Sequence, residues 1–123
     1  MTEGLIIDDN RTTADALGQM LVVLGFKVRL AYGSNAAMSI LASGFTPKFI
    51  CLDINMPGVT GTELLAYLRR EPHLIPVPVF VITSDDQPET RRKVIKLGAN
   101  ALILKPATID VLEEALRKAK FLK

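Results

Sequence analysis

Short apolar runs rich in β-branched residues alternate with segments of helical periodicity along the chain. Leu5-Ile6-Ile7 ends in Asp8-Asp9. From Asn10 or Thr12 to Leu24, the apolar residues Leu17, Met20, Leu21 and Leu24 then recur at helical spacing, and Gly25 suits the C-terminal cap. Val28 to Ala31 reads as a second strand, and Ser34 caps a helix carrying Ala37, Ile40 and Leu41 that Gly44 closes. Phe49 to Leu52 precedes a turn-rich loop from Asn55 to Gly61 and a helix marked by Leu64, Leu65 and Leu68. Val77 to Ile82 precedes Val94, Ile95 and Leu97, stopped by Gly98. Ala101 to Leu104 precedes Ile109, Leu112, Leu116 and Ala119. The pattern is a βα unit repeated five times. Several strands are apolar without alternation, as expected when both faces of a sheet are covered. Strand–helix alternation implies a parallel, doubly wound α/β sheet. Periodicity alone does not encode the strand order.

Composition narrows the class. The 123 residues fit a single domain, 1–123, and 49% apolar content is enough for one core. A formal net charge of +2 gives no reason to expect nucleic-acid binding. Cys51 is the one cysteine, so no internal disulfide forms and a reducing, cytoplasmic setting is expected. Met1-Thr2-Glu3-Gly4 lacks the basic start of a signal peptide, and no apolar run approaches bilayer length, so no membrane anchor is expected.

In an open α/β sheet, ligands bind outside the carboxyl ends of the strands. Those ends carry Asp8 and Asp9, Asp53, Thr83 with Ser84, and Lys105. Two like charges ~4 Å apart repel by roughly 4 kcal/mol at an effective dielectric of about 20. A hard divalent cation and Lys105 would relieve that repulsion, and oxygen ligands suit Mg²⁺ or Mn²⁺. Asp8, Asp9 and Asp53, with the backbone carbonyl of Asn55, are the expected ligands. A carboxylate beside such a cation can attack phosphorus to give an acyl phosphate. Phosphoryl transfer asks mainly for positioning and charge stabilisation, which Lys105 and the Thr83 hydroxyl can supply.

With these residues in place, the chain resembles the receiver domain of bacterial response regulators over essentially its whole length. The resemblance rests on Asp8-Asp9, on Asp53-Ile54-Asn55-Met56-Pro57 followed by Gly61, on Thr83, on Lys105-Pro106, and on Gly98-Ala99. Any one of these motifs alone is weak; the first four, in order at four separate strand ends, are strong, and Gly98-Ala99 before the fifth strand adds to them. The resemblance implies a flavodoxin-like fold with a five-stranded parallel sheet of order 2-1-3-4-5 and helices on both faces. It implies that a sensor histidine kinase or a phosphotransfer protein phosphorylates Asp53 in a Mg²⁺-dependent reaction. Asp9 would bind the metal directly and Asp8 mostly through water. A cis Lys105-Pro106 bond is implied, as is a short to moderate phosphoryl lifetime from Asn55 and Asp85. The output would be a downstream protein contacting the face of the fourth helix, fifth strand and fifth helix. The domain would be a monomer or a phosphorylation-dependent dimer, with no direct nucleic-acid binding. Two departures stand out. Leu102 replaces the aromatic residue often found three positions before the lysine, and Ala107 replaces a frequent Phe. They predict a smaller swing of the output face.

Blander readings apply to single residues. An Asp pair is commonly a turn or helix cap, and Thr83-Ser84 can cap the fourth helix. Cys51 reads as a packed core residue, and His73 as a loop residue with no second zinc ligand. Arg91-Arg92-Lys93 with Lys96 is by default a solvated helix face. Docking of an acidic partner is the sharper reading and DNA binding the weakest. Lys118 to Lys123 reads as a basic helix end. The competing function is a small Mg²⁺-dependent aspartyl-phosphate phosphohydrolase. That type places a second Asp two residues after the nucleophile, where this chain has Asn55, and a cap insertion is missing. A nucleotide- or flavin-binding protein would need a glycine-rich loop where Asp8-Asp9-Asn10 stands. The expectation is a signalling switch and not a turnover enzyme. It would be either stand-alone or excised from a larger regulator or hybrid kinase, since the chain stops soon after the fifth helix.

Overall fold

A computed structural model describes residues 2–56, 58 and 60–123. Met1, Pro57 and Val59, the last two from the loop after Asp53, lie outside the described residues. The five strands are β1 (Glu3–Ile7), β2 (Lys27–Ala31), β3 (Phe49–Leu52), β4 (Val79–Thr83) and β5 (Ala101–Leu104). The helices between and after them are α1 (Arg11–Val23), α2 (Ser34–Ala42), α3 (Gly61–Leu68), α4 (Pro88–Lys96) and α5 (Ile109–Lys118). The strands pair in parallel in the order β2-β1-β3-β4-β5, as expected from the resemblance.

The period of two along each strand sorts the core into two layers. Leu5, Ile7, Ile50, Leu52, Val79 and Val81 face α2, α3 and α4, meeting Leu41, Leu64, Leu68 and Val94. Ile6, Cys51, Phe80, Ile82 and Ile103 face α1 and α5, meeting Leu17, Leu21, Leu112 and Leu116. Strands β1, β3 and β4 are buried almost throughout, whereas β2 and β5 alternate or open to solvent as edge strands do. Cys51 is buried, and burial pushes its thiol up to about 12, in keeping with a packed core residue. Among the described residues no helix is long and apolar enough to cross a membrane.

Local chemistry sets the helix starts. Asn10 caps α1 by accepting the Thr13 N–H at 3.0 Å, and Thr60 forms a capping box with Glu63 on α3. Thr108 caps α5 through the Val111 N–H at 3.3 Å. Two sequence expectations shift here. β4 begins at Val79 instead of Val77, because Pro76 and Pro78 have no N–H to donate to a ladder. Ser84 does not cap α4: the cap position is Gln87, which makes no side-chain bond, and Pro88 opens the helix. Val94 is the buried residue of α4, and its burial contributes about 1.5–3 kcal/mol.

At the end of the sheet away from the strand C-termini, Arg69 closes the structure. It donates to the carbonyls of Gly98, Leu74 and Ile75 at 3.0–3.1 Å and to Asn100 Oδ1 at 3.2 Å. The same Asn100 oxygen accepts the Val79 N–H at 2.9 Å, so α3, β4 and the turn before β5 share one knot.

Gly4 shows how tightly β1 meets β3. It pairs with Phe49, whose ring lies over the glycine where a Cβ would stand. That ring also packs edge-on against Phe26 at 5.3 Å and tilted against Phe121 at 5.3 Å, so it has little freedom to retreat. Gly4→Ala is expected to destabilise the domain by about 1–3 kcal/mol through overpacking, read as a lower urea midpoint at unchanged slope.

Candidate functional site

The last rungs of the sheet carry the site. The Asp8 N–H donates to the Ala31 carbonyl at 3.1 Å, the Asp53 N–H to Ile7 at 2.9 Å, and the Lys105 N–H to Thr83 at 2.8 Å. Three of the charged residues singled out from the sequence are therefore fixed by ladder bonds that continue just past the strands. A fourth constraint comes from Gly61. At this position a Cβ would collide with Asp53 O and Ile54 Cα, so only glycine lets α3 start directly against the backbone of Asp53.

Asp8, Asp9 and Asp53 each place a carboxylate oxygen within 4.8 Å of the others. Asp8 and Asp53 are buried, and Asp9 stands at the exposed rim. The two buried carboxylates are held alike. Asp8 Oδ1 accepts the Asn10 N–H at 2.9 Å, and Asp53 Oδ1 accepts the Asn55 N–H at 3.1 Å. Their other oxygens face Lys105, whose Nζ lies 3.1 Å from Asp8 Oδ2 and 3.7 Å from Asp53 Oδ2. The lysine is thus bound more closely to Asp8 than to Asp53, a preference that spacing along the chain does not express. Lys105-Pro106 is cis, as the resemblance implies.

Burial raises the pKa of Asp53 above the usual carboxylate range. The charge of Asp8 adds to the rise, while the Asn55 N–H and Lys105 oppose it. The three acids fit a hard cation. Each offers a carboxylate oxygen to the same small region at the sheet edge, and all-oxygen ligation is what Mg²⁺ takes.

Thr83 is fully buried at the end of β4. Its Oγ1 accepts the Asn55 side-chain amide at 3.0 Å and the Asp85 N–H at 3.1 Å. A hydroxyl has two acceptor positions and one proton, so the proton is what Thr83 still has to offer. The sequence reading assigned Asn55 a backbone carbonyl for the metal and, by resemblance, a part in phosphoryl lifetime, but not the side-chain bond that ties the loop after β3 to the loop after β4. It also passed over Thr90, whose hydroxyl donates to Asp85 Oδ2 at 2.6 Å. No periodic signal links a loop Asp to a residue five positions on, beyond a helix start. Leu102 packs with the apolar layer beneath α4. Ala107 packs on the α1–α5 side and lines a groove of about 470 Å³ beside Lys105, with Thr12, Thr13 and Met20.

Comparison with known proteins places this geometry. The family model described as the response regulator receiver domain matches residues 5–117. The chemotaxis protein CheY of Pseudomonas aeruginosa is 33% identical over 115 residues, covering 93% of this chain and 92% of that protein. The signal receiver domain of the DNA binding response regulator merR from Colwellia psychrerythraea superposes with a TM-score of 0.90 at 25% identity. The match covers 99% of this chain and 100% of that one. The signal receiver domain of a signal transduction histidine kinase from Syntrophus aciditrophicus gives a TM-score of 0.86 at 28% identity, over 100% and 93% of the two chains.

The raised Asp53 pKa has a consequence for stability. The folded chain holds this proton more tightly than the unfolded chain does. Asp53 therefore contributes nothing below its unfolded pKa and lowers folded stability as pH rises from there through the folded value. Asp53→Asn, measured without divalent cations, is expected to raise the thermal midpoint at neutral pH. The gain should vanish below about pH 3, under the unfolded carboxyl pKa. Equal midpoints for the two proteins at pH 7 would contradict it.

Proposed function

The chain belongs to the response regulator receiver domain family of two-component signalling, and from that premise we propose that Asp53 is its phosphoacceptor, with residues 1–123 acting as one receiver domain. The observation that carries the reading is the meeting of Asp8, Asp9 and Asp53 around Lys105 at the carboxyl edge of the sheet. A sensor histidine kinase or a phosphotransfer protein is the donor. An Asp53 carboxylate oxygen attacks phosphorus, an O–P bond forms as the bond from phosphorus to the donor nitrogen breaks, and the electron pair leaves with that nitrogen.

Each residue has a share. Burial makes the Asp53 carboxylate more basic than one in water, and the Asn55 N–H holds its Oδ1 in position. Asp8, Asp9 and Asp53, with the Asn55 backbone carbonyl, are the groups that would hold Mg²⁺, with Mn²⁺ as an alternative. When bound, the cation supplies charge to offset the acids and the incoming phosphoryl oxygens. The Lys105 ammonium, already between Asp8 and Asp53, is placed to accompany a second phosphoryl oxygen. Thr83, with both acceptor positions filled, has its proton left for another. The domain is a switch that catalyses only its own phosphorylation and dephosphorylation, and small phosphate esters should not be turned over. Its output passes to a downstream protein through the face of α4, β5 and α5, without direct nucleic-acid binding. Similarity to both the CheY protein and a kinase-borne receiver domain supports either a free-standing or a fused context.

With acetyl phosphate and Mg²⁺, the intact mass of the wild-type protein should rise by one phosphoryl group. Asp53→Ala and addition of EDTA should each abolish the adduct, and Lys105→Ala should slow its formation by about 10²-fold. Undiminished labelling of Asp53→Ala would refute the assignment.

A further inference from the structure

Resting on the reading of Asp53 as phosphoacceptor, we propose that Asp85 and Thr90 form a clasp, particular to this chain, through which the state of the Thr83 hydroxyl reaches the first turn of α4. The hydrogen bonds form one unbroken chain. Asp53 Oδ1 accepts the Asn55 N–H, the Asn55 amide donates to Thr83 Oγ1, and the Asp85 N–H donates to the same oxygen. The Asp85 carboxylate then grips α4 from outside the helix. Its Oδ1 accepts the Gln87 N–H at 3.0 Å, and its Oδ2 accepts the Thr90 hydroxyl at 2.6 Å. Both bonds hold the Asp85 carboxyl below its ordinary range, so it is ionised when it makes them.

The clasp matters because α4 has little else to hold its start. Helices α1, α3 and α5 are each capped by their own N-cap side chain, but Gln87 caps nothing. One residue of α4, Val94, is buried, and it lies in the second half of the helix. Position at the first turn is therefore set by Asp85, and the Asp85 N–H is bonded to the hydroxyl whose remaining proton faces a new demand when a phosphoryl group arrives. A Thr83 hydroxyl that turns to donate to a phosphoryl oxygen changes the direction of its acceptor positions. The Asp85 N–H follows or is released, and Gln87 and Thr90 move with it. The route by β5 is closed to polar coupling. Leu102 has no hydrogen-bonding group and packs in the apolar layer with Val94 and Leu97. The departure from the family at Leu102 and the clasp at Thr90 are two sides of one arrangement.

The test compares uniformly ¹⁵N-labelled wild type, Thr90→Val and Thr90→Ser, each with and without beryllofluoride and Mg²⁺, by amide shifts and hydrogen exchange. In wild type, the amides of Asn55, Asp85, Gln87 and residues 89–92 should respond. In Thr90→Val, which keeps the side-chain shape and loses the donor, Asn55 and Asp85 should still respond. The response of residues 89–92 should fall about fivefold, at the low end of coupling effects. Thr90→Ser should restore it. A Thr90→Val protein whose α4 responds like wild type would overturn the clasp, as would a Thr90→Ser protein that behaves like Thr90→Val. If beryllofluoride moves neither Asn55 nor Asp85 in wild type, the phosphoacceptor reading itself fails and the clasp loses its input.

Discussion

Two buried carboxylates sharing one lysine set the terms for this molecule. Asp8 and Asp53 sit at the ends of adjacent central strands, and each would be costly to ionise alone. Lys105 comes from the far edge of the sheet, 97 residues from Asp8, and neutralises one charge of the cluster. With Asp9 at the rim, the excess is negative. The site is thus stable enough to fold and yet short of positive charge. That deficit is a physical reason for a cation and, after it, for a phosphoryl group whose oxygens meet Lys105.

The parallel sheet makes such a cluster possible. Every strand runs the same way, so every strand ends at the same edge, and residues distant in sequence arrive there together. The ladder bonds of Asp8, Asp53 and Lys105 show the order imposed on those ends. Beyond them, the chain enters loops in which side chains take over from the ladder. Asn10 and Asn55 donate backbone N–H groups to the preceding carboxylates, and Gly61 brings a helix against Asp53. A rigid base and a loop-built upper layer fit a site that must hold charge in place while its surroundings change.

Much of this was legible beforehand because it is written in local pattern. Continuous apolar runs marked the covered strands, and glycines and capping residues marked the helix limits. The residues at strand ends could be read as one site once the fold class was known. What was not legible is contact between loops. That Lys105 lies nearer Asp8 than Asp53, that Asn55 reaches Thr83, and that Thr90 reaches Asp85 all depend on loop paths. The cap of α4 was misplaced for a related reason. Ser84 has the chemistry of a cap, but Pro88 opens the helix and its cap position is Gln87. Strand order came only by resemblance, although Lys27 and Arg29 alternating with Val28 and Leu30 already carried the mark of an edge strand.

The misplaced cap bears on how the signal leaves the site. Had Ser84 capped α4, the helix would start next to Thr83, and a movement there would act on the helix directly. Instead Ser84, Asp85, Asp86 and Gln87 separate Thr83 from Pro88, and a single carboxylate spans that gap. A helix anchored mainly by Val94 near its far end can pivot at its start at small cost, whereas the buried layers beneath β4 are too closely packed to do so. The softest element next to the site is then the one tied to Thr83. Replacing an aromatic residue by Leu102 removes one means of reading that hydroxyl and leaves the loop before α4 as the polar connection on the same side of the sheet.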